Sequence, residues 1–285
     1  LMKKRFDIVT LSFAALLIAS VLCFMSCGSP APATKSDDDK PAKQIRIAPM
    51  IDYTVKEKYP HDITLFTEGF LFHNKQLFES TGSPQNLPQT RSLFGPLDLK
   101  TGKLDIKGEL DRNTYFGEGI VFINNYMYQL TYTNQVGFIY DAKTFERRGQ
   151  FNYANREGWG LTTDGKSIIM SDGTNMISYL DPGNFSVTKT ISVTENGFAL
   201  DYINELEYIK GFIYANVWMT NFVVKIDPST GEVVGKLDLV DLYNECRKDT
   251  QTLSETNGIA YDSISDKILV TGKLWPRIYE IAFPH

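Results

Sequence analysis

Short apolar runs alternate with turn residues along positions 60–285, and comparable groups of residues return at regular distances. Each group opens with an anchor residue and continues into an apolar run. It then reaches a turn signal such as Asn124-Asn125, before a run rich in β-branched and aromatic residues. The anchors lie 41 to 52 residues apart, at Gly69, Gly119, Gly160, Leu206 and Gly258. A repeat of this length predicts one small antiparallel sheet per unit, with the units arranged radially as propeller blades.

Five repeats predict an all-β domain over residues 45–285 with the architecture of a five-bladed β-propeller. The last repeat supplies only three strands, near 258–262, 267–272 and 277–283. Residues 45–55 are predicted to add its outer strand, which would close the ring and remove an exposed edge. A two-sheet sandwich is the alternative for a chain of short strands, but the regular period and the matching turns favour the propeller.

Composition narrows the classes of partner and cofactor. The chain has 285 residues, of which 42% are hydrophobic and 13% aromatic, and its formal net charge of −5 argues against a nucleic-acid partner. Histidine occurs only as His61, His73 and His285, and no pair has the spacing of metal ligands. Neither a metal nor another cofactor is therefore expected. Cys246 is the one cysteine beyond the leader, so we expect no internal disulfide and a structural thiol.

The N-terminal segment has the pattern of an export signal. Met2-Lys3-Lys4-Arg5 precedes an apolar stretch that reaches Met25, which is typical of a secretory leader over residues 1–27. Ser26-Cys27 resembles a bacterial lipobox, so we expect export and a lipid anchor at Cys27 in the cell envelope. A transmembrane anchor is the alternative. Residues 28–44, rich in Pro, Ala, Ser, Asp and Lys, are expected to form a disordered tether.

Chemically useful side chains occupy matching places in the repeats. Because the first two strands of each unit form a hairpin, the start of the first and the end of the second should lie at one mouth of the central channel. The starts are Glu68, Glu118, Trp159, Glu205 and Asn257, and the ends are Gly82, Tyr132, Gly173, Trp218 and Lys273. Each residue alone has an ordinary structural explanation, such as a strand start or a core tryptophan. Their common register favours a shared site.

The same blocks, read in order, resemble a known family. The set is similar to that of the plant and bacterial, zinc-independent glutaminyl-peptide cyclotransferases, and the likeness spans about residues 60–283. The motifs that carry it are Phe66-Thr67-Glu68-Gly69, Phe116-Gly117-Glu118-Gly119, Glu157-Gly158-Trp159-Gly160, Asn204-Glu205-Leu206-Glu207, Asn257-Gly258-Ile259-Ala260 and Gly272-Lys273-Leu274-Trp275-Pro276.

This resemblance implies a five-bladed propeller that converts the N-terminal glutamine of peptides or proteins to pyroglutamate and releases ammonia. It places the acid–base carboxylate at Glu118. It places the other pocket positions at Phe66, Phe116, Trp159, Asn204, Trp218 and Lys273. The family usually has Gln where this chain has Glu68, and Trp where it has Tyr132. Both departures should affect rate, pH optimum and substrate preference more than the type of reaction.

The implied reaction is an intramolecular acyl transfer, in which the substrate's α-amine attacks its own side-chain amide. Glu118 is expected to accept a proton from the amine and return it to the leaving group. Lys273, Asn204 and the indole of Trp218 are candidate donors to the developing oxyanion. We expect a monomer. Two other functions stay open: a peptide-binding envelope propeller without activity, and a structural envelope protein whose polar ring only solvates the channel.

Overall fold

The computed structural model describes residues 47–285, and the regular secondary structure of this part of the chain is almost entirely antiparallel sheet. The described residues belong to one compact unit. The predicted leader over residues 1–27, with its lipidation site Cys27, and the predicted tether over residues 28–44 lie outside the described residues.

Five sheets of four or five strands follow one another along the chain. The first strand is β1 (Thr54–Pro60). The first blade contains β2 (Thr67–His73), β3 (Gln76–Thr81), β4 (Ser92–Asp98), β5 (Lys103–Leu104) and β6 (Gly108–Leu110). The second contains β7 (Gly117–Ile123), β8 (Tyr126–Thr131), β9 (Val136–Asp141) and β10 (Arg147–Asn152). The third contains β11 (Leu161–Thr163), β12 (Ile168–Ser171), β13 (Met176–Leu180) and β14 (Val187–Ser192).

A small hairpin separates the third blade from the fourth, and it consists of β15 (Thr194–Glu195) and β16 (Phe198–Ala199). The fourth blade contains β17 (Ile203–Ile209), β18 (Phe212–Val217), β19 (Phe222–Ile226) and β20 (Val233–Asp238), followed by the helix α1 (Val240–Cys246). The fifth contains β21 (Thr256–Asp262), β22 (Lys267–Gly272) and β23 (Arg277–Ala282). The five-bladed propeller predicted from the repeat is confirmed.

The ring is closed by an N-terminal strand, but not by the predicted one. Strand β1 pairs antiparallel with β23, from Thr54 opposite Ala282 to Pro60 opposite Arg277. The prediction of residues 45–55 was therefore wrong in its bounds. Residues 49–51 instead bond to the outer edge of the fourth blade, where Ile51 N donates to Lys236 O at 2.7 Å. The mostly exposed β1 suits an outer edge, because charged side chains there oppose pairing with another chain.

Apolar side chains fill the spaces between neighbouring blades. Between the second and third blades, Tyr128 and Phe151 pack with Leu161 and Met170, all of them buried. Within residues 47–285 five such clusters occur, one for each pair of neighbouring blades including the fifth and first. The ring is thus held mainly by apolar burial between sheets.

The anchor glycines have a packing explanation. A Cβ atom added at Gly119 would lie 2.6 Å from Leu161 N of the next blade, and one at Gly160 would lie 2.3 Å from Asn204 O. The main chain also bonds across this contact, since Gly119 N donates to Trp159 O at 2.9 Å. The innermost strands therefore approach too closely for any side chain at these two positions.

Helix α1 follows the fourth blade, and Cys246 is its last residue. Its buried thiol is free and lies 3.3 Å from the Tyr279 hydroxyl. Burial raises the pKa of this thiol, which disfavours the reactive thiolate. No helix in the described part of the chain is both long and apolar enough to cross a membrane.

Candidate active site

Tight turns and bulges direct the polar side chains to one mouth of the channel. The loops Asn74-Lys75 and Asn124-Asn125 each have two residues with positive φ, as short hairpins require. At the other end of these hairpins the strand register shifts, so that Glu68 and Glu118 lie in bulges. Asn204 occupies the corresponding bulge of the fourth blade. A bulge re-aims its side chains, and bulges of this kind are common beside active sites.

A single cavity of about 500 Å³ opens at this mouth. It brings together all nine residues that the sequence assigned to the site, namely Phe66, Glu68, Phe116, Glu118, Tyr132, Trp159, Asn204, Trp218 and Lys273. Main-chain bonds close the hairpins here, as between Tyr132 N and Phe116 O at 3.1 Å and between Gly82 N and Phe66 O at 2.8 Å.

Two of the predicted mouth residues take structural roles instead. Glu205 lies outside the cavity lining, and its carboxylate accepts the main-chain N–H of Phe70 at 3.1 Å and of Ile259 at 2.9 Å. It therefore joins the fourth blade to the first and the fifth. Asn257 is also outside the lining and donates to the carbonyl of Thr67 at 2.9 Å. The expectation that both would reach the mouth was wrong, because their bulges turn them toward neighbouring strands.

Glu118 is the cavity carboxylate without a partner. Its side chain makes no hydrogen bond within residues 47–285, although the residue is only 5% exposed. Burial raises the pKa of Glu118 well above its usual range, and the neighbouring charge of Glu68 raises it further. A carboxyl group with these properties suits proton transfer near neutral pH.

Glu68 forms a buried ion pair beside it. Its carboxylate lies 3.0 Å from the Lys273 ammonium and accepts a hydrogen bond from Asn257 Nδ2 at 3.1 Å. Burial raises the pKa of Glu68 to about 7, against the opposing effect of Lys273. Burial alone would lower the pKa of Lys273, but the surrounding carboxylates, led by Glu68, raise it, so this residue stays cationic.

Aromatic rings wall the cavity in two groups. Phe66 contacts Phe116 edge-on at 6.2 Å between centroids, and Phe116 lies 5.9 Å from Tyr132. Trp159 and Trp218 meet edge-on at 5.5 Å. The rings exclude water and lower the local dielectric constant, which strengthens the electrostatic interactions of the charged groups.

Two polar groups of the cavity keep their hydrogen-bonding capacity. The amide oxygen of Asn204 is buried without a partner in the described part of the chain. The indole N–H of Trp159 is already donated to Glu157 at 3.0 Å. The indole N–H of Trp218, by contrast, has no acceptor within residues 47–285. A buried polar atom without a partner is uncommon in folded proteins, which fits a role in binding a ligand.

Comparison with known proteins agrees with this geometry. The model of the glutamine cyclotransferase family matches residues 22–283. The chain is 38% identical over 229 residues to the glutaminyl-peptide cyclotransferase of Arabidopsis thaliana, covering 80% of this chain and 70% of the plant protein. The crystal structure of the Myxococcus xanthus glutaminyl cyclase superposes with a TM-score of 0.74 and 32% identity, covering 83% of this chain and 98% of the bacterial enzyme.

The chain belongs to the glutamine cyclotransferase family. The resemblance identified in the sequence is thereby confirmed, and the chain is an enzyme. No group of three or more His, Cys, Asp or Glu side chains that could hold a metal ion occurs among residues 47–285 of this cyclotransferase.

The sequence pattern did not single out two carboxylates that contact residues of the cavity wall. Glu157 accepts a hydrogen bond from the indole N–H of Trp159 at 3.0 Å, and Glu255 lies 3.6 Å from the Lys273 ammonium. Each of them lies two residues before a strand-start position. Phe66 and Phe116 occupy the equivalent positions in the first two repeats. Extending the register comparison by two residues would have found them. Some residues that do line the cavity, such as Arg112, lie in connections between strands that carry no repeat signal.

Proposed function

We propose that this cyclotransferase closes the N-terminal glutamine of peptides and proteins to pyroglutamate, with Glu118 as the single acid–base group. One observation carries the assignment to Glu118. Its carboxylate lines the cavity, is buried, and is not engaged by any protein donor in residues 47–285. A structural carboxylate such as Glu205 is held by main-chain N–H groups, whereas Glu118 is left to meet a substrate.

The reaction needs one proton acceptor that becomes a proton donor. The substrate's α-nitrogen bonds to its side-chain amide carbon, and Glu118 takes the proton that this nitrogen loses. The amide oxygen carries the resulting negative charge. When the carbon–nitrogen bond of the amide breaks, the carboxyl group of Glu118 returns its proton, and ammonia leaves. Because burial raises the pKa of Glu118, the same carboxyl group is suited both to accept the proton and to return it.

The other cavity residues hold and polarise the substrate. The indole N–H of Trp218 and the side-chain NH2 of Asn204 donate to no group within residues 47–285, so we assign them to the developing oxyanion. The unpartnered side-chain oxygen of Asn204 is an acceptor and is left for an N–H group of the substrate. Lys273 lies 4.8 Å from the centre of the Phe66 ring and is paired with Glu68, so it supports the oxyanion mainly through its charge. The aromatic walls hold the glutamine side chain in a curled conformation, which brings amine and amide together.

The direct test is ammonia release by the full chain from a peptide with N-terminal glutamine. The same peptide with an acetylated N-terminus is the matched control, because its nitrogen cannot attack. We expect ammonia and a cyclised product from the first peptide only. Binding of the free peptide without ammonia release would instead indicate a peptide-binding propeller that lacks activity.

We also propose that the enzyme is exported and held at a membrane of the bacterial envelope by a lipid on Cys27. The apolar leader directly before Ser26-Cys27 supports this. Metabolic labelling with a fatty acid should mark the parent and not the Cys27→Ala variant. An unlabelled parent would indicate a simple signal peptide or a transmembrane anchor.

We further propose that the enzyme acts as a monomer, since residues of one chain line the whole cavity. Light scattering coupled to gel filtration of the detergent-solubilised protein tests this. A dimer mass that persists on dilution would contradict it.

A further inference from the structure

One part of the cavity takes no part in the proposed chemistry. We call it the polar annex, and it consists of Ser83, Pro84, Gln85, Arg112, Asn113, Thr114, Thr133 and Asn134. Its side chains offer hydroxyls, amides and one guanidinium, and no carboxylate. A cavity of about 500 Å³ falls within the range of pockets that bind molecules larger than one amino acid. The annex therefore leaves room for the substrate beyond its first residue.

A single side chain holds one wall of the annex in place. Arg112 Nη1 donates to the carbonyls of Pro88 and Thr90, and Nη2 donates to the carbonyl of Pro84, each at 3.1 Å. These carbonyls belong to the connection between β3 and β4, whereas Arg112 lies between β6 and β7. The planar fork of a guanidinium fixes several acceptors at once, which a lysine does less well. Arg112 is thus a positioning residue for residues 83–91.

The annex also holds polar groups that the protein does not use. The side chains of Gln85 and Thr133 make no hydrogen bond in the described part of the chain. Asn134 donates through Nδ2 to the Thr114 carbonyl at 3.1 Å, which leaves its side-chain oxygen as an acceptor. Amides and hydroxyls both donate and accept, as the N–H and C=O groups of a peptide require. The guanidinium is already occupied by three carbonyls, so the annex has little means of selecting a charged side chain.

We propose that the polar annex binds the main-chain amides that follow the N-terminal glutamine of the substrate, and that Arg112 positions its wall. This inference rests on the proposed function and narrows its substrate class. Peptides longer than a dipeptide, and protein N-termini, are preferred over glutaminyl dipeptides. Contacts to the main chain make this preference largely independent of the sequence after the glutamine.

The test compares Gln-Gly amide with Gln-Gly-Gly-Gly amide as substrates of the full chain, because glycine offers only main-chain contacts. Two hydrogen bonds of ordinary strength should raise kcat/KM for the longer peptide roughly tenfold, mainly through a lower KM. Arg112→Ala should reduce this advantage to about threefold or less, since residues 83–91 lose their shared donor. Arg112→Lys should restore part of it.

Arg91→Ala is the matched control. It removes a guanidinium from the β3–β4 connection that Arg112 holds, but the Arg91 guanidinium pairs with Glu109 and does not line the cavity. The advantage of the longer peptide should persist in this variant. Should Arg112→Ala fail to fold, as judged by circular dichroism, Gln85→Ala takes its place, because this exposed side chain bonds to no other residue of the described chain. In Gln85→Ala the kcat/KM advantage of the longer peptide should fall about two- to fivefold.

Equal kcat/KM values for the two peptides with the parent enzyme would overturn the proposal. So would an equal loss on both peptides in Arg112→Ala, because a general structural defect does not depend on peptide length. If neither peptide releases ammonia, the proposed function itself fails, and this outcome is distinct from the other two.

Discussion

Replacing Glu118 with glutamine tests the proposed chemistry most directly. Glutamine keeps the shape of the side chain but neither accepts nor returns a proton. Because the side chain of Glu118 makes no hydrogen bond within residues 47–285, the substitution removes no native hydrogen bond. Its effects should therefore arise from the lost proton transfer and the lost charge alone.

The Glu118→Gln substitution should lower activity without lowering stability. Loss of a general acid–base group costs on the order of 10²–10⁴ in kcat, or about 2.7–5.5 kcal/mol in the activation barrier. Stability should not fall. The pKa of Glu118 is raised by burial and by Glu68, so the folded protein holds a proton that the unfolded chain releases above about pH 4.3. Ionisation therefore destabilises the parent as pH rises, and Glu118→Gln removes this penalty.

The assay is coupled ammonia release with an N-terminal glutamine peptide, together with thermal melts at several pH values. Glu118→Gln should lose kcat with little change in KM, and its melting temperature should equal or exceed that of the parent. The excess should grow between acidic and neutral pH, because the folded parent retains a proton on Glu118 that the unfolded chain releases increasingly readily.

Glu205→Gln is the matched control, since it changes another buried carboxylate of the propeller. Glu205 accepts two main-chain N–H groups, and an amide retains only one of the two acceptors. The variant should lose about 1–3 kcal/mol of stability while its folded fraction keeps its activity. The reasoning is refuted if folded Glu118→Gln works at the parental rate, or if Glu205→Gln loses turnover without loss of stability.

Three further predictions concern neighbouring groups. Glu68→Gln should move the acidic limb of kcat/KM to lower pH, because it removes repulsion from Glu118 and frees Lys273; a pH–rate profile with an unmoved limb would contradict this. Tyr132→Trp should change KM more than kcat in steady-state assays, since the ring borders Phe116 in the cavity wall, and a change confined to kcat would be inconsistent with that role. His61 bridges the Trp275 carbonyl and Glu79 Oε2 at 2.8 and 3.0 Å. Burial lowers its pKa, but Glu79, the Trp275 carbonyl and Asp62 together raise it more, so its stabilisation should be lost as pH rises above about 6.5. The melting-temperature gap between the parent and His61→Gln should narrow over that range, and a constant gap would count against it.

Much of the fold was accessible from the sequence because its determinants are local and repeated. Turn pairs such as Asn124-Asn125 require positive φ, and the anchor glycines recur because the inner strands touch. The closing strand was misplaced because an exposed edge strand has little apolar pattern to identify it. Whether residues 49–51 or 54–60 pair with the fifth blade depends on contacts between distant parts of the chain.

The features of the site also divide into those that the sequence predicted and those that required the tertiary structure. The sequence by itself determined which residues share a register in the hairpins, and with that six side chains of the cavity, because each repeat encodes its own hairpin. Phe66, Phe116 and Asn204 were assigned by the family resemblance. Only the tertiary structure decided what each side chain meets. The bulges leave Glu118 without a partner and turn Glu205 onto main-chain N–H groups, although both start an inner strand. The Glu68–Lys273 pair depends on the approach of the first and fifth blades, and a single repeat carries no information about its neighbours across the ring. The Arg112 contacts join two connections that are separated by three strands in the sequence and carry no repeat signal.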